Sequence, residues 1–362
     1  MTESPARSPE SWWLYTSSGK LAEPPIESTP STTFPDPPPW RSFHGTPPKI
    51  DGDTHAWLPV EPEPQEIYDR RLGGKPCPGP SGLSPRELNR INAALLLRRP
   101  LLVTGQPGVG KSTLAYSIAG ELGLGRVLRW PITSRSTLAE GLYHYDAIGR
   151  LQEVNLHRAK ENGEADPAER ARRDIGRFIR LGPLGMALLP WKTPRVLLVD
   201  EIDKSDVDLP NDLLSVFEDG EYVIPELARI AEDQAVVKVM LPYRDDRAPI
   251  ERGEVRCAAF PVVILTSNGE RDFPQPFLRR CVRLRLDGGG GDDWIRHIVG
   301  KQLGEDAIER GHDLIRAYQD ANDNGEVVAV DQLLNAIHLH KRDELGRETI
   351  EALLNPLNRP ER

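Results

Sequence analysis

The sequence predicts an α/β fold in which a five-stranded, mainly parallel sheet is covered by helices on both faces and followed by a small helical domain. Five short apolar runs, at residues 101–104, 127–132, 196–199, 262–266 and 282–286, alternate with helical patterns. Parallel strands need crossover connections, and those are usually helices. After the run Gly288-Gly289-Gly290-Gly291 only helical patterns remain. These features divide the 362 residues into an arm at 1–80, an α/β domain at 81–287 and a helical domain at 288–362.

The arm holds 17 of the 34 prolines, which remove backbone donors and block helix and central strand alike. It is therefore expected to be largely disordered. Yet four of the seven tryptophans, Trp12, Trp13, Trp40 and Trp57, sit there, too many for a purely solvated linker. The arm is expected to dock, either on its own domain or on another protein. The globular part begins at Ser84, which can cap a helix with Pro85 at its first position and Glu87 three residues on. Leu88, Ile91, Ala94 and Leu95 then recur at helical spacing.

Two insertions interrupt the α/β alternation. Residues 135–190 exceed one crossover helix and carry Arg170, Arg172, Arg173, Arg177 and Arg180, a solvated basic face or a pore lining. Residues 221–260 hold the alternating string Val237-Lys238-Val239-Met240, followed by turn-rich Asp245-Asp246 and Glu251-Arg252-Gly253. This second insertion reads as a β-hairpin.

Composition excludes several classes. No stretch reaches the ~20 apolar residues of a bilayer span, and the first 20 residues lack a basic start followed by an apolar run. A cytoplasmic location is expected. Cys77, Cys257 and Cys281 are odd in number and widely spaced, unlike a zinc site or a disulfide framework. A net charge of -9 disfavours broad capture of nucleic acid and favours protein partners.

The chemistry is written at strand ends. Gly105-Gln106-Pro107-Gly108-Val109-Gly110-Lys111-Ser112 fits G-x-x-x-x-G-K-[ST] between a strand and a helix that continues through Thr113. Such a loop wraps phosphates in backbone N–H groups, with Lys111 on the terminal phosphates and Ser112 on Mg2+, so ATP with Mg2+ is the expected ligand. The apolar run Leu197-Leu198-Val199 ends in Asp200-Glu201. Asp200 is suited to hold the metal shell and Glu201 to activate the attacking water. The apolar run 262–266 leads through Ser267 into Asn268, which is a turn residue if taken alone but follows the loop and the acid pair in an order that gives it the terminal phosphate or the lytic water. Arg279 and Arg280 follow a short helical piece; alone they are a solvated face, and in this order they are a finger for a neighbour's phosphate.

Together these segments resemble the AAA+ ATPases over residues 84–362, and within them the MoxR type. The insertion at 221–260, ahead of the run at 262–266, is similar to that clade's pre-sensor hairpin. The strings at residues 128–137, 180–185 and 200–206, with Ser11-Trp12-Trp13-Leu14-Tyr15 and Pro38-Pro39-Trp40-Arg41, resemble a bacterial MoxR subgroup. The resemblance implies a P-loop AAA+ core with a helical lid, assembled as a homo-oligomeric, usually hexameric, ring. ATP would sit at each subunit boundary. It further implies ATP hydrolysis coupled to remodelling a separate protein, such as a von Willebrand factor A or protease-like partner. An assembly switch with incidental hydrolysis and a nucleic-acid remodeller are the alternatives. One departure stands out: the late helix that begins near Val330-Asp331-Gln332 lacks the arginine many lids carry there, so coupling of nucleotide to lid is either weaker or uses a cation from elsewhere, such as Lys341.

Overall fold

The computed structural model describes residues 9–22, 34–50, 54–55, 60–72, 83–160, 175–243, 247–286, 292–324 and 328–340. Trp57, Cys77, Arg170, Arg172, Arg173, Asp245, Asp246, the glycine run at 288–291 and Lys341 lie outside them.

Within the two domains the strands, in chain order, are β1 (Leu101–Thr104), β2 (Leu128–Pro131), β3 (Tyr143–Tyr145), β4 (Ile179–Leu181), β5 (Val196–Asp200) and β6 (Glu221–Val223). They continue as β7 (Val236–Met240), β8 (Arg247–Glu251), β9 (Glu254–Arg256), β10 (Val262–Ser267) and β11 (Val282–Arg285). The core sheet has the order β11-β1-β10-β5-β2 and every pairing in it is parallel. Its five strands are the five apolar runs, matched to within one residue at each end. The central strands are continuously apolar because both faces are covered, and β5 and β10 are buried at every position, whereas the edge strands β2 and β11 carry Arg129, Arg283 and Arg285. The two-residue period then divides them: Leu101, Val103, Leu198 and Ile264 enter one core, and Leu102, Leu197, Val199 and Leu265 enter the other.

Helix α1 (Pro85–Leu97) starts at the expected capping box, with the Ser84 side chain on the Glu87 N–H and the Glu87 carboxylate on the Ser84 N–H. It packs with α2 (Lys111–Leu122) on the first core. Helix α3 (Leu209–Asp219) lies against the second core, and α4 (Gln275–Arg280) precedes β11. The helical domain contains α5 (Asp292–Leu303), α6 (Glu305–Arg310), α7 (His312–Asp323) and α8 (Val330–His340), around a separate core of Ile295, Val299, Ile315, Leu333 and Ile337.

The second insertion is more than the expected hairpin. The antiparallel pair β7–β8 is extended by β9 and β6 on one side and by β4 and β3 of the first insertion on the other. The two insertions thus form one six-stranded sheet, joined where Arg180 of β4 pairs in parallel with Met240 of β7. Strands of three residues, such as β3, β4, β6 and β9, are too short to show a period, and the pairings β3–β4, β4–β7 and β6–β9 join segments more than 30 residues apart.

Three described stretches of the arm are laid onto the core. Trp13 Nε1 donates to Asn89 Oδ1 (2.8 Å), and the Leu14 and Tyr15 N–H groups both donate to Asn92 Oδ1 (2.7 and 2.9 Å). Asn92 Nδ2 returns a bond to the Tyr15 carbonyl (2.8 Å), and the fully buried Tyr15 ring reaches Ser117 Oγ on α2 (2.8 Å). Farther on, the buried Arg41 guanidinium lies against the stacked Phe43 and Phe260 rings and donates to the carbonyls of Arg98 and Phe217. The described aromatics of the arm divide: Trp13 packs on the arm's own domain, whereas Trp40 is 73% exposed.

Asn92 acts as a one-residue strand for the arm, so its loss strands two N–H groups and a carbonyl. Asn92→Leu is expected to destabilise the chain by about 2–4 kcal/mol and to open residues 9–22 to protease. Equal stability and equal protease resistance in both chains would contradict this role.

Candidate nucleotide site

The turn from β1 into α2 forms a cradle at the C-terminal edge of the core sheet, the edge where ligands bind in open parallel sheets. Gly108 and Gly110 take φ values of 83° and 89°, the left-handed region open to glycine. A Cβ on Gly108 would also lie 2.9 Å from the Val330 N–H nitrogen at the start of α8, so the loop touches the helical domain there. Gln106 and Pro107 are exposed at the crest, Gly105 is half-buried, Val109 is buried, and Thr113 is half-buried in the first turn of α2. Lys111 is buried, and its ammonium donates to the carbonyls of Gly105 and Gln106, both at 2.8 Å. Burial lowers its pKa, and the nearby Asp203, Glu201 and Asp200 carboxylates partly offset that.

Asp200 ends β5 beside this loop and receives four hydrogen bonds. Its Oδ1 accepts from Ser112 Oγ (2.7 Å) and Thr266 Oγ1 (2.8 Å). Its Oδ2 accepts Nε and Nη2 of Arg129 (3.0 and 2.7 Å). Burial pushes this carboxyl's pKa up, but the bonds from Ser112, Arg129 and Thr266 outweigh it and hold the pKa below the ordinary value. For Arg129, burial is likewise overcome by the Asp200 bonds, and its pKa is raised.

Glu201 follows in the left-handed region, φ 63°, uncommon for a residue with a side chain. Its N–H donates to Thr266 Oγ1 (2.8 Å), which fixes the turn, and its carboxylate pairs with Lys204 at 2.7 Å. Asn268 lies just past the end of β10, whose Ser267 is in register with Thr104 of β1. The Asn268 N–H is held by Asp203 Oδ2 at 2.8 Å, as is that of Glu270 at 3.2 Å. Lys111, Ser112, Asp200, Glu201 and Asn268 are therefore gathered at one sheet edge.

Arg279 and Arg280 are not part of that group. They end α4 just before β11, whose Val282 pairs with Leu101 at the opposite end of β1. Four residues of strand, roughly 13 Å, separate that edge from the phosphate loop. Arg280 pairs with Glu218 of α3, and Arg279 is exposed. The sequence-based assignment overlooked Arg129, Thr266 and Asp203. Only strand register brings Arg129 and Thr266 to Asp200, although a charge inside the apolar run 127–132 was a usable signal.

The residues present fit a magnesium nucleotide. The loop offers glycine backbone at the N-terminus of a twelve-residue helix. Ser112 and Asp200 offer the oxygen donors that magnesium prefers. The buried Asp203 Oδ1 has no hydrogen-bond partner among the described residues, a polar acceptor left over beside Lys111.

A strand–loop–helix phosphate cradle with paired acids on the next-but-one strand defines a P-loop nucleotide-binding core. The model of one family, the AAA domain of the dynein-related subfamily, matches residues 100–281, half of the chain, and the chain belongs to that family. ATP binding comes with that membership. Among solved structures, NtrX from Brucella abortus in complex with ATP is similar at 14% identity and a TM-score of 0.39. The similarity covers 79% of this chain and 58% of that one, so the chain spans less than two thirds of NtrX. No curated protein matches the chain. Among the described residues no helix is long and apolar enough to cross a membrane.

A carboxyl whose folded pKa is depressed stabilises the fold above its unfolded pKa, about 3.9, and loses that contribution as pH falls through the folded value. Asp200→Asn lacks the contribution. The stability gap between wild type and Asp200→Asn is expected to be widest near pH 7 and to close below about pH 4. A gap independent of pH in denaturant titrations would contradict the assigned pairing.

Proposed function

We propose that this protein is a MoxR-type AAA+ ATP hydrolase that works as a ring of identical subunits, hexameric by the resemblance, and remodels a separate protein partner. The observation that carries the reading is the division of the chemistry between two edges of one sheet. Lys111, Ser112, Asp200, Glu201 and Asn268 stand at one edge, and Arg279 and Arg280 at the other. An arginine roughly 13 Å of strand away cannot serve its own loop, whereas a neighbouring copy can present it.

In this reading residues 81–287 bind the nucleotide, residues 288–362 form the lid and residues 1–80 the arm. Lys111 leaves the Gly105 and Gln106 carbonyls for the terminal phosphates, a position set by the loop's own curvature. Mg2+, when held by Ser112 and Asp200, supplies charge neutralisation across those phosphates. Glu201 takes a proton from the attacking water, and for this it has to release Lys204. Thr266 keeps Glu201 aimed by bonding its N–H while donating to Asp200. Asn268 orients the water or the terminal phosphate, on a loop that Asp203 fixes. Arg280 or Arg279 neutralises charge that develops on the neighbour's phosphate.

The partner class, von Willebrand factor A or protease-like, rests on the MoxR resemblance, as does a cytoplasmic location. One observation favours a second reading, an ATP-dependent assembly switch with incidental hydrolysis: Glu201 rests in an ion pair with Lys204, which slows any role as base. Glu201→Gln separates the two readings. For the motor, turnover falls by about 100-fold or more, ATP binding persists, and partner remodelling stops. Remodelling or recruitment that survives Glu201→Gln but is lost in Lys111→Ala would establish the switch instead.

A further inference from the structure

Both oxygens of Asp200 are already occupied by protein donors, and the two occupations differ in kind. The Ser112 hydroxyl can donate to Oδ1 while its lone pairs face a cation, so that contact is compatible with a metal. The Arg129 fork is not. Its two N–H groups place a full positive charge on Oδ2, on the same carboxylate that a divalent cation would draw on. Two cations on one carboxylate repel each other strongly.

We propose that Arg129 is a positioning residue that competes with Mg2+ for Asp200, keeping the carboxylate aimed in the nucleotide-free site and setting the metal concentration at which the site loads. The inference rests on the Mg-ATP reading of the site. Burial decides which partner moves: the Asp200 side chain is 9% exposed and the Arg129 side chain 39%. Asp200 also keeps two hydroxyl donors when the arginine leaves, so it stays in place. Arg129 has its carbonyl fixed by the Tyr243 hydroxyl at 3.0 Å, so the strand holds while the side chain swings. A divalent ion that displaces one unit charge gains attraction to Asp200 and releases the guanidinium to solvent or to phosphate.

The test uses the full chain and Arg129→Met, with Arg129→Lys as a variant that keeps the charge and loses the fork. Mg2+ is titrated at saturating ADP, with thermal protection as the signal, and ADP affinity is measured separately in EDTA. For Arg129→Met the half-saturating Mg2+ is expected to fall about tenfold, while the chain still binds ADP in EDTA. Arg129→Lys shifts the metal requirement in the same direction by a smaller factor. The metal-free Arg129→Met chain melts earlier, because a buried carboxylate has lost its counter-charge. An unchanged or higher Mg2+ requirement in both variants, with ADP still bound, overturns the proposal and leaves the site reading intact. A wild-type chain that binds no ADP at any Mg2+ concentration overturns the site reading and this inference with it.

Discussion

The Asp200 carboxylate is the constraint on which the rest of the site depends. It sits at the end of a fully buried strand, and a charge there is tolerable only when it is saturated with donors. Four are supplied, from the loop helix through Ser112, from β2 through Arg129 and from β10 through Thr266. Each of those elements is held in place by parallel pairing or by packing against β5. The sheet therefore fixes the geometry, and the carboxylate in turn locks together three elements that the backbone alone leaves independent. Glu201 inherits its position from the same knot, because the hydroxyl that serves Asp200 also holds the Glu201 N–H.

The arm extends this frame. Tyr15 and Asn92 tie it to α1, and Ser117 and Glu121 tie it to α2, the helix that begins with Lys111 and Ser112. Arg41 then bridges the carbonyl of Arg98, after α1, to that of Phe217 on α3. The next residue, Glu218, holds Arg280. Two described stretches of the arm thus touch the helix of the phosphate loop and the helix that supports the distant arginines, respectively. Arg98 itself sits in the left-handed region where glycine is usual, and the Phe34 ring of the arm lies over its guanidinium at 4.6 Å.

Much of this was legible in the sequence. Strands such as β5 and β10 are buried on both faces and so leave continuous apolar runs, and the Ser84 capping box marks a helix start to the residue. The phosphate loop and the Asp200-Glu201 pair are local strings, which a sequence displays directly. Arg129 and Thr266 were not legible as site residues, because their meeting with Asp200 depends on register between strands more than 60 residues apart. The six-stranded sheet was hidden for a similar reason. Its outer strands are three residues long, and the union of the two insertions rests on one parallel pairing. Nor does anything in Asn92 announce that it will receive the arm, since a buried asparagine on an apolar helix face declares a need for partners without naming them.

The catalytic edge of one subunit is proposed to be completed by the arginine edge of the next. The most direct measurement mixes Lys111→Ala chains with Arg279→Ala/Arg280→Ala chains and follows ATP turnover. Each variant alone is expected to be nearly inactive, and the mixture to regain activity, because some boundaries then join an intact loop to intact arginines. Full activity in the arginine double variant alone, or no recovery in a mixture shown to co-assemble, would contradict the account.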